Sequence, residues 1–207
     1  MLELYAGMGG FAAGAAFSLI HTTCAVEMDA DTAAAYRSMW PEIPCWTCRT
    51  EDMPWRSAPE VEAPTEVSAG FPCPPFSGAA RSLGIEDERG LEVLQVLECG
   101  VHCAAPLIVA ENVGNLMRHQ NGLTWLFMQQ LAAAAGYVLR VQRVDNASVW
   151  LPLHRERLTI IWIHHSMPTP APDTMLLAQV PPLPCRALFT GRGGASSCST
   201  STVPPSA

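Results

Sequence analysis

The sequence predicts an α/β protein with a mostly parallel sheet and helices on both of its faces. Short apolar strand-like runs alternate with helical stretches over the first 165 residues, which is the pattern of repeated β-α units. A glycine-rich turn, Gly7-Met8-Gly9-Gly10, stands where the first strand gives way to the first helix. The length of 207 residues and the 49% hydrophobic content are sufficient for one domain with a sizeable core.

Each predicted element rests on a local pattern. Residues 2–5 and 22–27 are apolar runs that predict strands, and the stretches 11–19 and 29–39 predict the helices that follow them. A short third strand is expected within the irregular connection at 45–64. The remaining strands are predicted at 66–69, 107–110, 137–144 and 157–164, and the remaining helices at 88–103 and 123–135.

The composition of the chain changes near residue 166. Prolines cluster between residues 168 and 184, and residues 191–207 are rich in Gly, Ser, Thr and Pro. Such segments bury too little apolar surface to fold by themselves. We therefore predict one folded domain over residues 1–165 and a disordered tail, or the truncated start of a further region, over residues 166–207.

The composition favours an intracellular protein. The sequence has no apolar run long enough to span a bilayer and no basic segment before a hydrophobic one, so we expect neither a membrane partner nor a signal peptide. The eight cysteines are irregularly spaced and are expected to be reduced; the lone pair Cys45 and Cys48 is a weak signal, and no metal site is expected. The net charge of −7 means that any nucleic-acid surface is local or belongs to another chain.

A single cysteine is mounted in a proline-flanked loop after the apolar run 66–69. Pro72 and Pro74 fix their own backbone φ, and Pro74 also moves Cys73 away from the helical region. A nucleophile that must meet a substrate atom at a fixed angle needs such a mounting. Alone, the loop is also consistent with a turn that carries a buried thiol.

The glycine-rich turn predicts a nucleotide cofactor. Glycines allow a tight turn and let a ligand approach the backbone closely. Glu27 ends the next strand, where a carboxylate can accept hydrogen bonds from ribose hydroxyls, and Asp52 is placed to read an adenine amino group. The pattern Gly7-x-Gly9-x-x-Ala12 with Glu27 fits NAD as well as S-adenosylmethionine, so the turn alone does not decide between them.

Two further groups of polar residues flank predicted strands. Glu111 stands at the carboxyl end of the strand 107–110, and Arg155 and Arg157 precede the apolar run 158–163. Because the carboxyl ends of parallel strands share one edge, Glu111 and the cysteine loop can face a common crevice. Each group also has a structural alternative, as a helix cap for the glutamate and as a solvated turn for the arginines.

In this order, these motifs resemble those of the cytosine-C5 methyltransferases over residues 2–165. The matching segments are 5–11 (cofactor glycines), 27–29 (ribose-binding acid), 52–53 (adenine contact), 70–73 (nucleophile), 84–90 (the segment after it), 111–113 (Glu-Asn-Val) and 155–157 (paired arginines).

The resemblance implies a Rossmann-like S-adenosylmethionine-dependent methyltransferase fold and methyl transfer to C5 of a cytosine flipped out of DNA. It also implies that Cys73 adds to C6 and that a protonated Glu111 holds ring N3 and the exocyclic amino group. Arg157, with Arg155, would stabilise the thiolate and hold the base edge. The residues implied for the cofactor are Tyr5, Gly7, Met8, Gly9, Gly10, Glu27, Met28, Asp52, Met53 and Pro72.

The chain departs from the family pattern in several places. Pro74 and Leu153 stand where the family has glutamines, and Trp150-Leu151 replace its glycine. Neither a target-recognition region nor the closing asparagine motif is found in residues 166–207. The alternatives are therefore an active DNA methyltransferase, a fragment or split-enzyme subunit with a complementing chain, a regulator that only binds cofactor, and an RNA cytosine-C5 methyltransferase. A NAD-dependent dehydrogenase would leave the cysteine loop unexplained.

Overall fold

A computed structural model describes residues 1–53, 64–72, 92–146 and 154–168 of the chain. Several predicted features lie outside the described residues: Cys73, which is the predicted nucleophile, the segment 84–90, the departures from the family pattern and most of the predicted tail. The described part contains the cofactor motifs, the Glu-Asn-Val segment and the paired arginines.

The described strands form one sheet. They are β1 (Leu2–Leu4), β2 (Cys24–Val26), β3 (Cys45–Trp46), β4 (Glu66–Ala69), β5 (Leu107–Asn112), β6 (Tyr137–Asp145) and β7 (Glu156–His164). The sheet has seven strands in the order β3-β2-β1-β4-β5-β7-β6. β1 to β5 pair in parallel, and β7 runs antiparallel between β5 and β6. The predicted mostly parallel sheet is confirmed.

The described α-helices are α1 (Gly10–Phe17), α2 (Ala30–Met39), α3 (Glu92–His102) and α4 (Leu123–Ala134). Asp29 caps α2, because its Oδ1 accepts a hydrogen bond of 2.8 Å from the backbone N–H of Thr32. α4 gives way to β6 at Gly136, whose φ of 82° suits a helix C-terminus. Among the described helices, none is long and apolar enough to cross a bilayer.

The helices lie on both faces of the sheet, as the alternating side chains of β1 indicate. Leu2 and Leu4 are fully buried in the large core cluster that also contains Val96 of α3 and Met128 of α4. Glu3, between them, faces the other way and contacts residues of α1 and α2. This is the layered arrangement that the alternation of elements predicts.

β5 continues beyond its predicted end at residue 110. Its ladder with β7 pairs Glu111 with Thr159 and Asn112 with Leu158, so both residues belong to the strand rather than to the loop after it. The sequence does not reveal this extension, because it depends on an antiparallel neighbour from a distant part of the chain. The consequence is that the backbone of Glu111 is fixed by a hydrogen-bonded ladder.

Candidate cofactor and active site

The glycine-rich turn between β1 and α1 has a left-handed backbone conformation, which residues other than glycine rarely adopt. Tyr5, Gly7 and Gly9 have φ values of 52°, 56° and 88°. A Cβ added at Gly9 would lie 2.2 Å from Nε1 of Trp40, so only glycine fits there. The same Nε1–H donates a 3.2 Å hydrogen bond to the carbonyl of Met8. The end of α2 therefore holds the turn in shape.

Glu27 ties the turn to the end of β2. Its Oε2 accepts a hydrogen bond of 2.9 Å from the backbone N–H of Gly7, and its Oε1 accepts one of 2.9 Å from the N–H of Asp29. A carboxylate has about four lone-pair sites, so these two bonds leave acceptor positions for a ligand. Glu27 therefore shapes the turn and also keeps capacity for the ribose contact predicted for it.

Glu3 is a structural support that the motifs did not indicate. Its side chain is 1% exposed. Oε1 accepts a 3.0 Å hydrogen bond from the N–H of Phe11 in α1, and Oε2 accepts one of 3.0 Å from the hydroxyl of Tyr36 in α2. Burial raises the pKa of this carboxyl. A lone acidic residue within an apolar first strand was the signal that could have revealed it.

A cavity of about 360 Å³ opens beside the turn. It contains two residues predicted for the cofactor, Tyr5 and Met28, together with residues that the motifs missed. Its lining is formed by Tyr5, Val26, Met28, Arg49, Thr50, Glu51 and Glu92. Arg49 and Glu51 form an ion pair with 2.7 Å between Nε and Oε1. The cavity therefore combines an apolar wall with carboxylates and hydroxyls.

The other residues predicted for the cofactor are not part of the lining of this cavity. Asp52 ends the short 3₁₀ turn Thr50–Asp52 and is exposed, while its neighbours in that turn line the cavity. Met53 is 3% exposed and belongs to the core, so its side chain supports the turn from below. Met8 is 60% exposed, Gly10 begins α1, and Pro72 is half-buried after β4.

The Glu111 and Arg157 side chains meet at the edge of the sheet where β5 ends. Nε of Arg157 lies 2.7 Å from Oε1 of Glu111, and both side chains are partly buried. The separation is that of an ion pair, although the Nε–H is not aligned on the oxygen as a hydrogen bond requires. The structure thus brings together two of the residues predicted for catalysis.

Asn112 connects this edge to the start of the loop that carries the predicted nucleophile. Its side chain is fully buried, and its Nδ2 donates a long hydrogen bond of 3.4 Å to the carbonyl of Phe71, just before Pro72. Its Oδ1 accepts a hydrogen bond of 2.8 Å from the N–H of Val113. Because Ala69 and Ala110 are paired across β4 and β5, the start of the cysteine loop lies beside the Glu-Asn-Val segment.

Arg155 is placed differently from its neighbour. Its side chain is exposed, and its backbone N–H donates a 3.0 Å hydrogen bond to Oδ1 of Asp145. The other carboxylate oxygen of Asp145, Oδ2, lies 3.0 Å from Nδ1 of His154. These contacts tie the start of β7 to the end of β6. The catalytic role predicted for Arg155 stays a prediction.

The family model of the C-5 cytosine-specific DNA methylases matches residues 1–181. The chain belongs to this family. The type II methyltransferase M.Eco47II of Escherichia coli is 30% identical over 174 residues, which are 81% of this chain and 40% of that protein. M.Bsp6I of a Bacillus species is 30% identical over 186 residues, which are 84% of this chain and 58% of that protein.

Solved structures show the same fold. The Entamoeba histolytica methyltransferase EhMeth superposes with a TM-score of 0.65 at 16% identity, covering 88% of this chain and 57% of that one. A variant of Spodoptera frugiperda DNMT2 gives a TM-score of 0.61 at 17% identity, covering 89% and 54%. The chain thus has a Rossmann-like methyltransferase fold. It spans between 39% and 58% of the length of the curated relatives that it matches over more than 150 residues.

Proposed function

We propose that this chain carries the cofactor-binding and catalytic half of a DNA cytosine-C5 methyltransferase. The observation that carries the proposal is the convergence of motifs on one edge of the sheet. The adjacent strands β1, β4 and β5 lead at their carboxyl ends to the glycine turn, to Pro72 and the following Cys73, and to Glu111. In parallel sheets this edge is where ligands bind.

The residues around the turn fit S-adenosylmethionine. The cavity beside Tyr5 has an apolar wall for an adenine ring, Glu27 has acceptor capacity for ribose hydroxyls, and nearby carboxylates suit a cationic sulfonium. When bound, this cofactor supplies the methyl group. NAD would leave the Glu111–Arg157 pair and the cysteine loop without a role.

The chemistry follows from the residue types. C5 of cytosine is a poor nucleophile, and a Cys73 thiolate that donates its electron pair to C6 turns the ring into an enamine. C5 of that enamine would be the nucleophile for the methyl group, which S-adenosylmethionine would supply while the electron pair of its methyl–sulfur bond stayed on sulfur. A base removes the C5 proton, and elimination breaks the S–C6 bond and returns the thiolate. The target must first be flipped out of the duplex, at a cost of a few kcal/mol.

In this proposal Glu111 exchanges partners when the base binds. It contacts Arg157 in the described structure, with 2.7 Å between Oε1 and Nε. To hold ring N3 and the exocyclic amino group of cytosine, the carboxyl must turn at least one oxygen from the guanidinium to the base. In this proposal Arg157, released from Glu111, holds the base edge or the thiolate.

The proposed partners are DNA and a complementing chain. The net charge of −7 leaves few cationic groups for the phosphate contacts that supply much of the affinity for DNA. We therefore propose that target recognition is supplied by a second polypeptide. A DNA substrate also makes the protein intracellular.

The test is methyl transfer from labelled S-adenosylmethionine to DNA and, in parallel, to transfer RNA. The full chain and the Cys73→Ala variant are compared, each with and without a candidate complementing chain from the same genome. We expect label in DNA at C5 of cytosine for the wild-type chain and none for Cys73→Ala, which should keep its cofactor affinity. Label in transfer RNA alone would favour the RNA cytosine-C5 methyltransferase. Equal labelling of DNA by the wild-type chain and by the Cys73→Ala variant would refute the assignment of Cys73 as the nucleophile.

A further inference from the structure

Charged side chains are distributed unevenly over the described structure. Residues 1–53, 64–72 and 92–102, which contain β1 to β4 and α1 to α3, have ten carboxylates and two arginines. Residues 103–146 and 154–168, which contain β5 to β7 and α4, have three carboxylates and five arginines. One half of the described structure is therefore basic, although the whole chain has a net charge of −7. Such an asymmetry indicates a polyanionic partner for the basic half.

Three of these five arginines lie at one edge of the sheet, where β5 and β6 end and β7 begins. Arg118 follows the 3₁₀ turn after β5, Arg143 lies near the end of β6, and Arg155 directly precedes β7. Nη2 of Arg143 is 4.0 Å from Sδ of Met117, so the turn that carries Arg118 contacts β6. The same edge carries Glu111, which contacts Arg157 there.

These three guanidinium groups are accessible to a ligand. All three side chains are exposed, and those of Arg118 and Arg155 form no ion pair with any other described residue. Nη1 of Arg143 lies 3.6 Å from Oε1 of Glu156, and the two side chains are 46% and 54% exposed. An exposed ion pair of this kind is weak, so a phosphate group can replace the carboxylate.

The turn around Arg118 offers further donors and no competing acid. Gln120 and Asn121 expose amide side chains, which can donate hydrogen bonds to phosphate oxygens. The sequence contains no carboxylate between residues 112 and 144, so neither the turn nor α4 repels an anion. Arginines bind phosphate oxygens through charge-assisted hydrogen bonds, and such contacts position a protein on a duplex without reading its sequence.

We propose that Arg118, Arg143 and Arg155 contact the phosphate backbone of duplex DNA next to the target cytosine. This inference rests on the proposed function, which makes DNA the substrate and brings the flipped base to Glu111. The three arginines hold the duplex against this edge of the sheet. Because phosphate contacts carry no sequence information, discrimination between target sites is left to other groups.

The test is fluorescence anisotropy of a short labelled DNA duplex, titrated with the full chain in the presence of saturating S-adenosylhomocysteine. The variants are Arg118→Gln and Arg155→Gln, and the binding constant K is measured between about 0.05 M and about 0.2 M salt. Each should weaken binding by about tenfold at about 0.05 M salt and reduce the slope of log K against log salt by about 0.9, because one phosphate contact is lost.

Two further variants serve as controls. Arg140→Gln removes an exposed arginine from the same strand, β6, at about 16 Å from the end of that strand, and should leave the slope unchanged. Glu156→Gln removes the carboxylate beside Arg143 and should tighten DNA binding by about twofold to fivefold, because it frees the guanidinium and deletes a negative charge. A merely structural role of this ion pair would not give tighter binding.

The outcomes separate this inference from the proposed function. Unchanged slopes for Arg118→Gln and Arg155→Gln, or an equal effect of Arg140→Gln, overturn the inference. A folded, cofactor-bound wild type that binds transfer RNA but no duplex at low salt overturns it as well. Circular dichroism checks the fold of each variant, and either arginine variant decides if the other is unfolded. A folded wild type to which S-adenosylhomocysteine does not bind in calorimetry overturns the proposed function itself.

Discussion

The contact between Glu3 and Tyr36 gives a stability prediction that depends on pH. Tyr36→Phe removes the 3.0 Å hydrogen bond to Oε2 of the buried Glu3 and leaves the bond from Phe11 to the other oxygen. A hydrogen bond to a charged acceptor contributes about 1.5–3 kcal/mol, against about 0.5–1.5 kcal/mol for a neutral one. The loss in the free energy of unfolding should therefore be larger where Glu3 is charged.

The sign follows from the pKa of Glu3. Burial, the largest cause, raises it above its ordinary value of 4.5, and the Tyr36 hydrogen bond lowers it. The folded state therefore binds the Glu3 proton more tightly than the unfolded state does. The stability that this proton contributes is fully present below pH 4.5 and is lost as the pH rises through the pKa of Glu3 in the folded state. Without Tyr36 the folded pKa rises further, and the variant should lose more stability at high pH than wild type.

The assay is urea unfolding at about pH 4, below the ordinary pKa of 4.5, and at about pH 8.5. The variant should lose about 1 kcal/mol at the lower pH and about 2–3 kcal/mol at the higher one. The control is Tyr137→Phe, whose hydroxyl donates a 2.7 Å hydrogen bond to the uncharged carbonyl of Ala105. Its loss should be about 1 kcal/mol at both pH values. Equal losses for Tyr36→Phe at the two pH values would refute the reasoning.

Three further substitutions test the site. Gly9→Ala should lower the free energy of unfolding in urea by at least about 2 kcal/mol and weaken the binding of S-adenosylmethionine at least tenfold. The reason is that the φ of 88° at Gly9 and the nearby Trp40 ring both oppose a Cβ. An unchanged cofactor affinity would contradict this role of the turn. Arg157→Gln should lower the rate of methyl transfer by about 100-fold or more without changing cofactor affinity, since it removes the cation beside Glu111. A rate within threefold of wild type would exclude a catalytic role for Arg157. Asn112→Leu should cost about 1–3 kcal/mol in thermal or urea unfolding, since it deprives the carbonyl before the nucleophile loop of a buried donor; a stability equal to wild type would show that this long bond contributes nothing.

The order of elements and the edge that carries the motifs could be predicted because both follow from local sequence. Glycine permits the left-handed backbone that Gly7 and Gly9 adopt in the turn, and the apolar runs predict the parallel strands. The structure confirms these features. It also brings Glu111 and Arg157 into contact, a pairing that the sequence patterns had not indicated.

What the sequence could not predict depends on contacts between distant residues. The extension of β5 requires its ladder with β7, and the support of the turn by Glu3 requires a tyrosine 33 positions further along the chain. Glu92 could not be connected to Tyr5, because the cavity that joins them exists only in the folded chain. β7 begins at Glu156, so Arg155 precedes the strand and Arg157 lies within it. Sequence patterns predict such strand boundaries poorly, and the different positions of the two arginines could therefore not be foreseen.

The most direct test of the account is calorimetric titration of the purified full chain with S-adenosylmethionine. The central claim is that this chain forms a working cofactor site on one edge of its sheet. The account predicts one site per chain with micromolar affinity, weakened by Gly9→Ala and unchanged by Cys73→Ala. A soluble, folded chain that shows no binding at millimolar cofactor would contradict it.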